Sequence, residues 1–487
     1  MEKAGLDTKH SNAEISAKSF LLNDETKFED YFNKIIEKKE GLNNFEINEL
    51  EKKLADFDKI IENAHELRLQ AGRLLDYNKM KKNNASSVQI SKYKDEDDYN
   101  IQKAKNYIEQ IKKLKSYMFG YPANMYEDSS LTKYFRHLEV ELPFLNECGD
   151  AFESGFYSMD AKKDYEIPIL NKIFQHLGLE EYQNNSSKKG AWGYITQGGS
   201  ESNQWGIMNG VRKYPDGIVY YSASAHYSVK KAVGVVDPNF KFLKPFVESA
   251  MIPTEENSHK INSKLLIRKI LENQKNGVRP AIILLTWGTT ETGDIDDVEE
   301  ISRELKKLNI PFYIHLDAAM YGGIARNQKN APIVPNMEKA HVDSISISLH
   351  KYFGNTTVNS IVISKTRPAT RIIDYIGMKD STTSGSRGFN PCSTYQRVIE
   401  TLERRSPFEY EKNIKFFENL LKECKIQYSK PNLSNTFVID KPDDKICKKY
   451  QLSAFKDDKG KNKAHIIIFP YHDKKIMEEL AKDLENS

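Results

Sequence analysis

Apolar strands that alternate with helices are the feature of this sequence that most constrains its fold. Strand-like segments occupy residues 191–196, 217–221, 280–285, 312–316 and 344–349, with helical segments such as 297–308 between them. Apolar strands separated by helices are typical of a sheet whose strands run mostly parallel. The pattern therefore predicts an α/β fold. Short strands after residue 430, followed by a charged helix, predict a smaller C-terminal α/β domain.

Polar clusters follow several of the predicted strands. Gly198-Gly199-Ser200 lies between a strand and a helix, Asp317 ends a second strand, and His350-Lys351 follow a third. His226 lies in the loop after the segment 217–221. In parallel sheets, ligands bind beyond the carboxyl ends of the strands. We therefore expect these clusters to form one site.

Lys351 follows the alternating apolar residues Ile345, Ile347 and Leu349. A lysine held near apolar surface loses part of its preference for the charged form, so its amine can attack an aldehyde. The alternative interpretation is a lysine at a strand end that points into water.

The other clusters supply complementary chemistry. Backbone N–H groups at the helix that begins near Gly199 suit a phosphate, and a buried Asp317 requires a cation such as a protonated ring nitrogen. The small residues Ala318 and Ala319 leave room for a flat ring, on which His226 could stack. Each residue alone also fits a structural role. Together with Lys351 they predict a site for pyridoxal 5′-phosphate.

The composition excludes several classes of function. The 487 residues contain 72 Lys and Arg against 69 Asp and Glu, so the net charge of +3 gives no electrostatic case for nucleic acid. No apolar run approaches the roughly 18 residues that span a bilayer, and the first residues lack a signal-peptide core. The four cysteines form no C-x-x-C pair. We expect a reduced, cytoplasmic protein without a membrane segment or a metal site.

The first 118 residues form a charged extension. Apolar residues spaced three or four apart run from Ile47 to Ala64 and again from Ile101 to Met118, with a polar break over residues 78–100 between them. This pattern predicts a helical hairpin with a long polar loop. The hairpin has two interpretations. It is a partner-binding or regulatory appendage, or its apolar stripes simply pack on the main body or on a second subunit.

Several motifs carry a resemblance to a known family. These are Thr196-Gln-Gly-Gly-Ser-Glu-Ser-Asn203, His226-Tyr-Ser-Val229, Gly288-Thr-Thr290, His315-Leu-Asp-Ala-Ala319 and Ser348-Leu-His-Lys351, with Asn146-Glu-Cys-Gly-Asp150 and Thr383-Ser-Gly-Ser-Arg387. The chain resembles the group II pyridoxal-phosphate amino-acid decarboxylases, above all the bacterial histidine decarboxylases and the plant serine decarboxylases. The resemblance extends from about residue 115 to near the C-terminus.

The resemblance implies the type I fold of pyridoxal-phosphate enzymes. A helical extension (residues 1–118) would precede a large cofactor-binding domain with a mostly parallel sheet (residues 119–366). A lid loop and a small C-terminal domain (residues 367–487) would follow. Enzymes of this family are homodimers with the active site at the subunit interface, so the resemblance also implies a homodimer.

Carried over residue by residue, the resemblance implies roles for individual side chains. Lys351 would hold the cofactor, Asp317 would face its ring nitrogen, and His226 and Ala319 would lie on the two faces of the ring. The remaining positions are Gly199, Ser200, Ser348 and His350 at the phosphate, Thr289 or Thr290 near the ring hydroxyl, and Tyr121 in the substrate pocket. The loop from Tyr375 to Pro391, which includes Ser386 and Arg387, would close over the substrate, partly in the partner subunit.

The reaction implied is decarboxylation of an L-amino acid, with histidine first and serine or another amino acid as alternatives. Asp317 would keep the ring protonated, and His226 or a lid tyrosine would supply the final proton. The segment Gly385-Ser-Arg-Gly-Phe-Asn-Pro391 lacks the histidine of the usual Gly-Ser-Arg-Asn-Gly-His-x-Pro and is one residue shorter. A lyase or aminotransferase of the same fold, or an inactive homologue whose hairpin binds a partner, are the other interpretations.

Overall fold

The computed structural model describes most of the chain in segments. These are residues 44–82, 84–120, 148–153, 162–180, 190–236, 248–274, 277–323, 337–355, 357–375, 377–383, 385, 387, 390–399, 401–402, 407–431 and 434–487. The chain divides into two compact units, Met1–Ile108 and Glu109–Ser487. Within the described residues, no helix is both long enough and apolar enough to cross a membrane.

The first unit contains the long helix α1 (Asn44–Lys82) and most of a second long helix, α2 (Ser87–Lys115). The predicted polar break over residues 78–100 is wrong, because the helices are separated by only a few residues. Ser86 and Gln89 form a capping box: the Gln89 N–H donates to Ser86 Oγ (3.2 Å), and the Ser86 N–H donates to Gln89 Oε1 (2.8 Å). Charged residues are compatible with an exposed helix, so polarity alone did not mark a loop.

Ion pairs join α1 to α2 within this unit. Arg73 Nε lies 2.6 Å from Asp97 Oδ2, and Lys105 Nζ lies 2.9 Å from Glu66 Oε2. Among the described hydrophobic side chains of α1 and α2, Tyr77 and Ile90 are buried, and the Tyr77 ring packs edge-on against Tyr93 of α2. The two helices are therefore held by a small apolar contact and several surface charges, each of which contributes little.

The second unit is built on a seven-stranded sheet. Its strands are β1 (Trp192–Thr196), β2 (Ile218–Ser222), β3 (Glu248–Ile252), β4 (Ala281–Thr286), β5 (Phe312–Asp317), β6 (Ser344–Ser348) and β7 (Ser360–Ser364). They lie in the order β1-β7-β6-β5-β4-β2-β3. The neighbouring pairs β3–β2, β2–β4, β4–β5 and β5–β6 are parallel. Strand β7 is antiparallel to both of its neighbours, β6 and β1. This arrangement confirms the predicted α/β fold with a largely parallel sheet.

Helices cover the sheet and bury apolar surface against it. They are α3 (Ile167–Leu177), α4 (Gly199–Lys213), α5 (Tyr227–Val236), α6 (Ser263–Asn273), α7 (Val298–Lys307) and α8 (Asn390–Ile399). Short π and 3₁₀ helices occupy Lys162–Glu166 and Tyr321–Gly323. All side chains of β4 and β6 are buried, as expected for strands with helices on both faces.

The C-terminal part carries a smaller antiparallel sheet. Its strands are β10 (Tyr428–Ser429), β11 (Thr436–Asp440), β12 (Ser453–Lys456) and β13 (Asn462–Ile467), in the order β10-β11-β13-β12. The accompanying helices are α9 (Pro407–Glu423), α10 (Asp444–Lys449) and α11 (Lys474–Glu485). A hairpin of β8 (Arg371–Ile373) and β9 (Met378–Asp380) precedes this region.

Two glycines allow α4 to approach the sheet closely. A Cβ atom added to Gly206 would lie 2.1 Å from Nδ1 of His315, and one added to Gly210 would lie 2.7 Å from a side-chain carbon of Ile282. These distances are far below van der Waals contact, so only glycine fits at both positions without movement. The close approach allows the polar side chains of α4 to reach the sheet.

Candidate active site

The carboxyl ends of β5 and β6 lie side by side and place Asp317 near Ser348 and Lys351. β5 pairs with β6 in parallel, with Asp317 opposite Ser346. The N-terminus of α4 at Gly199 and the start of α5 after His226 belong to the same sheet edge, because they follow β1 and β2. The strand ends that the sequence predicted to converge therefore do so.

Lys351 lies in a tight turn after β6. Its backbone N–H donates to the Ser348 carbonyl (3.3 Å), and the Gly354 N–H donates back to the Lys351 carbonyl (3.1 Å). Burial lowers the pKa of Lys351, and the negative charge of Asp317 opposes that shift. Within the described part of the chain, the Lys351 ammonium has no hydrogen bond and no ion pair. The amine is therefore available to react.

Asp317 is a buried carboxylate with neutral partners. Its side chain is 5% exposed; Oδ1 accepts the Ala319 N–H (3.1 Å), and Oδ2 accepts Nδ2 of Asn203 (2.8 Å). Among the described residues, no lysine or arginine forms an ion pair with it. Because a buried carboxylate is costly without a cation, this geometry leaves room for a positively charged ligand group.

His226 lies beside the same carboxylate. Its Nδ1 is 2.7 Å from Ser228 Oγ and accepts the Ser228 N–H at 3.3 Å. Burial lowers the pKa of His226; Asp317 raises it and Lys351 lowers it. The imidazole therefore favours its neutral form, and its pKa responds to the charges of both residues.

The predicted phosphate cradle lies at the start of α4. Gly198 has a φ of 143°, which favours glycine, and a Cβ on Gly199 would lie 3.1 Å from Ser348 Oγ. Ser200 is exposed at the first turn, and the first N–H groups of a helix have no partner within it. His350 donates through Nδ1 to the Asn359 carbonyl (2.7 Å).

The other predicted positions differ in their placement. Ala319 is half-buried beside Asp317; Thr289 is buried, with its hydroxyl 2.8 Å from that of Thr292, and Thr290 is exposed. Tyr375 is 88% exposed at the tip of the β8–β9 hairpin. Arg387 is buried in an ion pair with Glu166 at 2.8 Å. Tyr121 and Ser386 lie outside the described residues.

Sequence reasoning missed the polar residues that support Asp317. Asn203 contacts Asp317, Ser228, Ser346 and His315 from one side chain. Its position four residues after Gly199 places it on the same helical face as the cradle, which is the only signal in the sequence.

These residues fit pyridoxal 5′-phosphate. Considering the described residues alone, the cradle at Gly199 offers free N–H groups, and Lys351 offers an amine without a hydrogen-bond partner. Asp317 offers a buried carboxylate without a contacting lysine or arginine among these residues. Each feature is unsatisfied by the protein alone and is complementary to one part of the cofactor: phosphate, aldehyde and ring nitrogen.

Comparisons with known proteins identify the family of this chain. The model of the pyridoxal-dependent decarboxylase conserved domain matches residues 161–382. Serine decarboxylase 2 of Oryza sativa subsp. japonica is 32% identical over 75% of this chain and 73% of its own length. Histidine decarboxylase of Pseudomonas entomophila (strain L48) is 31% identical over 76% and 86%. The chain belongs to the pyridoxal-dependent decarboxylase family.

The solved structures support the fold of this decarboxylase. L-methionine decarboxylase from Streptomyces sp.590 superposes with a TM-score of 0.65 at 20% identity, over 80% of this chain and 95% of that one. The family and the cofactor predicted from the sequence are confirmed. The enzyme is a pyridoxal-phosphate-dependent amino-acid decarboxylase, and Gly199, His226, Asp317 and Lys351 all lie within the matched residues.

Proposed function

We propose that this decarboxylase converts L-histidine to histamine and carbon dioxide. The observation that carries the chemistry is the pair of Lys351, whose amine has no partner among the described residues, and Asp317, whose carboxylate contacts only neutral donors. In the reaction, the bond from Cα to the carboxylate breaks and one proton takes its place, so no oxidant is needed.

Each residue has a separate task in this proposal. When bound, pyridoxal 5′-phosphate supplies an aldehyde for exchange with the substrate amine and a ring that accepts the electron pair left by carbon dioxide. Lys351 would hold the aldehyde, and burial lowers the pKa of its amine, which favours attack. Asp317 would hold a proton on the ring nitrogen. His226 provides a flat neutral ring beside it.

The substrate is argued from relatives. Histidine decarboxylases of Pseudomonas entomophila and Solanum lycopersicum are 31% and 30% identical to this chain. Serine is the second candidate, because serine decarboxylase 2 of Oryza sativa subsp. japonica has an identity of 32%. The altered segment from Gly385 to Pro391 lies in the proposed lid and would be the place where specificity differs.

The test combines a spectrum with an assay. Holoenzyme should show a visible cofactor band that is lost in Lys351→Ala, and an equimolar panel of L-histidine, L-serine and L-methionine should yield histamine and carbon dioxide. Ethanolamine as the main product would show that the substrate is serine rather than histidine. Amino acid consumed without carbon dioxide would indicate a lyase or aminotransferase, and no band with excess cofactor would overturn the proposal.

We also propose a homodimer in which the loop from Tyr375 to Pro391 reaches the partner's site. Mixed dimers of Lys351→Ala and Tyr375→Ala, a change at an exposed residue of the hairpin tip, should recover activity that neither parent has. Light scattering should report twice the mass of 56.1 kDa. A monomer with full activity would exclude this assembly.

A further inference from the structure

Asn203 occupies the centre of a buried hydrogen-bond network that joins two residues of the site. Its side chain is 1% exposed and lies between Asp317 and Ser228 on one side and Ser346 and His315 on the other. An amide with all its hydrogen-bonding groups in contact has one orientation that satisfies every partner.

That orientation follows from the partners of its oxygen. Ser346 Oγ donates to Asn203 Oδ1 (2.8 Å), and His315 Nε2 lies 3.2 Å from the same atom. Burial lowers the pKa of His315 to about 4, so the imidazole is neutral. Since Ser344 Oγ is 2.7 Å from Nδ1, a Ser344 hydroxyl that donates there leaves the His315 proton on Nε2, where it donates to Asn203.

The hydrogen bonds that lead to His315 from Asn209 and Tyr313 donate in the same direction, toward Asn203. Asn209 Nδ2 donates to the Tyr313 hydroxyl (3.1 Å), and that hydroxyl lies 2.7 Å from Ser344 Oγ. Tyr313 can therefore donate to Ser344, which in turn donates to His315. Every donor in this series points toward Asn203, and the series ends at the Asp317 carboxylate.

The amide nitrogen of Asn203 then serves two acceptors. It donates to Asp317 Oδ2 at 2.8 Å and to Ser228 Oγ at 3.1 Å. A hydroxyl that accepts from Asn203 directs its own hydrogen to His226 Nδ1, 2.7 Å away. Because the Ser228 N–H also donates to Nδ1, the His226 proton lies on Nε2.

We propose that Asn203 is a positioning residue that stabilises the charged form of Asp317 and sets the tautomer of His226 through a single amide group. The inference rests on the proposed roles of those two residues at the cofactor. Donors to a carboxylate favour its charged form, and a fixed tautomer presents a defined N–H to the site. A change at position 203 therefore alters both groups together.

The decisive variant is Asn203→Asp, which keeps the side-chain volume but replaces the donating NH₂ with oxygen. It is compared with Asn203→Ala and with the matched control Asn273→Asp, since Asn273 donates to the Tyr220 hydroxyl (2.8 Å) outside the site. For each holoenzyme, we would measure the cofactor band against pH, the cofactor dissociation constant, and kcat and KM for whichever amino acid the wild type decarboxylates.

We expect both Asn203 variants to weaken cofactor binding and lower kcat by roughly tenfold to hundredfold, the size expected for loss of a hydrogen bond to a charged group. KM should stay near its wild-type value, and the pH profile of the band should shift. Asn273→Asp should keep the wild-type band and kcat. Ser228→Ala removes only the branch to His226 and should shift the pH profile of kcat while the cofactor still binds.

Either of two outcomes with the Asn203 variants would overturn the proposal. In the first, Asn203→Asp keeps the wild-type band and kcat while Asn203→Ala loses them, which assigns Asn203 a volume-filling role. In the second, neither variant changes the band. If Asn203→Asp fails to fold by circular dichroism, an unchanged pH profile in Ser228→Ala would overturn the proposal. Absence of the band in the wild type with excess cofactor would instead refute the proposed function.

Discussion

The cofactor site and the base of the loop from Tyr375 to Pro391 both bury carboxylates, but they neutralise them differently. At the loop base, Glu166 contacts Arg387 at 2.8 Å, and Asp150 contacts Arg367 at 2.9 Å; both carboxylates are fully buried. In the site, the contacts of Asp317 within the described part of the chain are an amide side chain and a backbone N–H. Each of these buried carboxylates at the loop base contacts an arginine, whereas the described residues of the site leave Asp317 without a contacting cation.

Asp296 is a second buried carboxylate that contacts no lysine or arginine among the described residues. It accepts the Ile261 and Thr286 N–H groups, each at 2.7 Å, and burial raises its pKa to about 7. Backbone donors alone therefore do not keep it fully ionised. Asp317 differs from Asp296 in that a side-chain amide, that of Asn203, supplies one of its two hydrogen bonds.

The largest effect is expected at Lys351. Lys351→Ala should lower kcat at least about a thousandfold, because no other described side chain replaces the amine that holds the cofactor. The unfolding midpoint of the protein without cofactor should not fall, since an unpaired, partly buried charge is lost. A loss of folding in this variant would mean that Lys351 is structural.

Asp317→Asn sharpens the contrast between the two regions. We expect kcat to fall about a hundredfold to a thousandfold, because a preorganised charge at the site is removed. Stability without cofactor should remain near the wild-type value, because a neutral amide is cheaper to bury than a carboxylate. Turnover assays with thermal unfolding check both parts; wild-type kcat would contradict the assigned role.

Arg387→Met, unlike Asp317→Asn, should lower the stability of the protein. It leaves the buried carboxylate of Glu166 without its cation, which should cost about 3–5 kcal/mol of unfolding free energy. Adding Glu166→Gln should recover much of that loss, as urea unfolding can measure. Equal losses in the single and double variants would show that the ion pair is not the cause.

Gly206→Ala tests whether the neutral donors of Asp317 need the close approach of α4. The added methyl group would collide with His315, so we expect a loss of about 1–3 kcal/mol in stability and weaker cofactor binding. Gly72→Ala is the matched control, because a Cβ there meets no atom within 4 Å in α1. That change should be neutral or stabilising.

Asp296 predicts a pH dependence. Its folded pKa of about 7 lies above the unfolded value of about 3.9, so the folded state keeps the proton up to a higher pH. The unfolding free energy of the wild type relative to Asp296→Asn should therefore fall as pH rises from about 4 to about 7 and level off above, by at most about 1.4 kcal/mol per pH unit. A rising difference would refute the assignment.

The sequence predicted the strands and the residues at their ends because these are local patterns. Ile345 and Ile347 alternate into Lys351, and β5 ends at Asp317 as expected. The hairpin loop was predicted too long, because the charged residues after Ser86 are helical. The partners of Asn203 and Arg387 could not be predicted, since each contact joins segments far apart in the chain.

The position of β1 has a consequence for biosynthesis. In the sheet formed by the described strands, β1 lies at one end and pairs with β7, a strand that is synthesised long after it. Until β7 leaves the ribosome, the apolar strand from Trp192 to Thr196 has no partner and exposes an edge that other chains can join. We therefore expect slow maturation and better soluble yield when translation proceeds at low temperature or with chaperones.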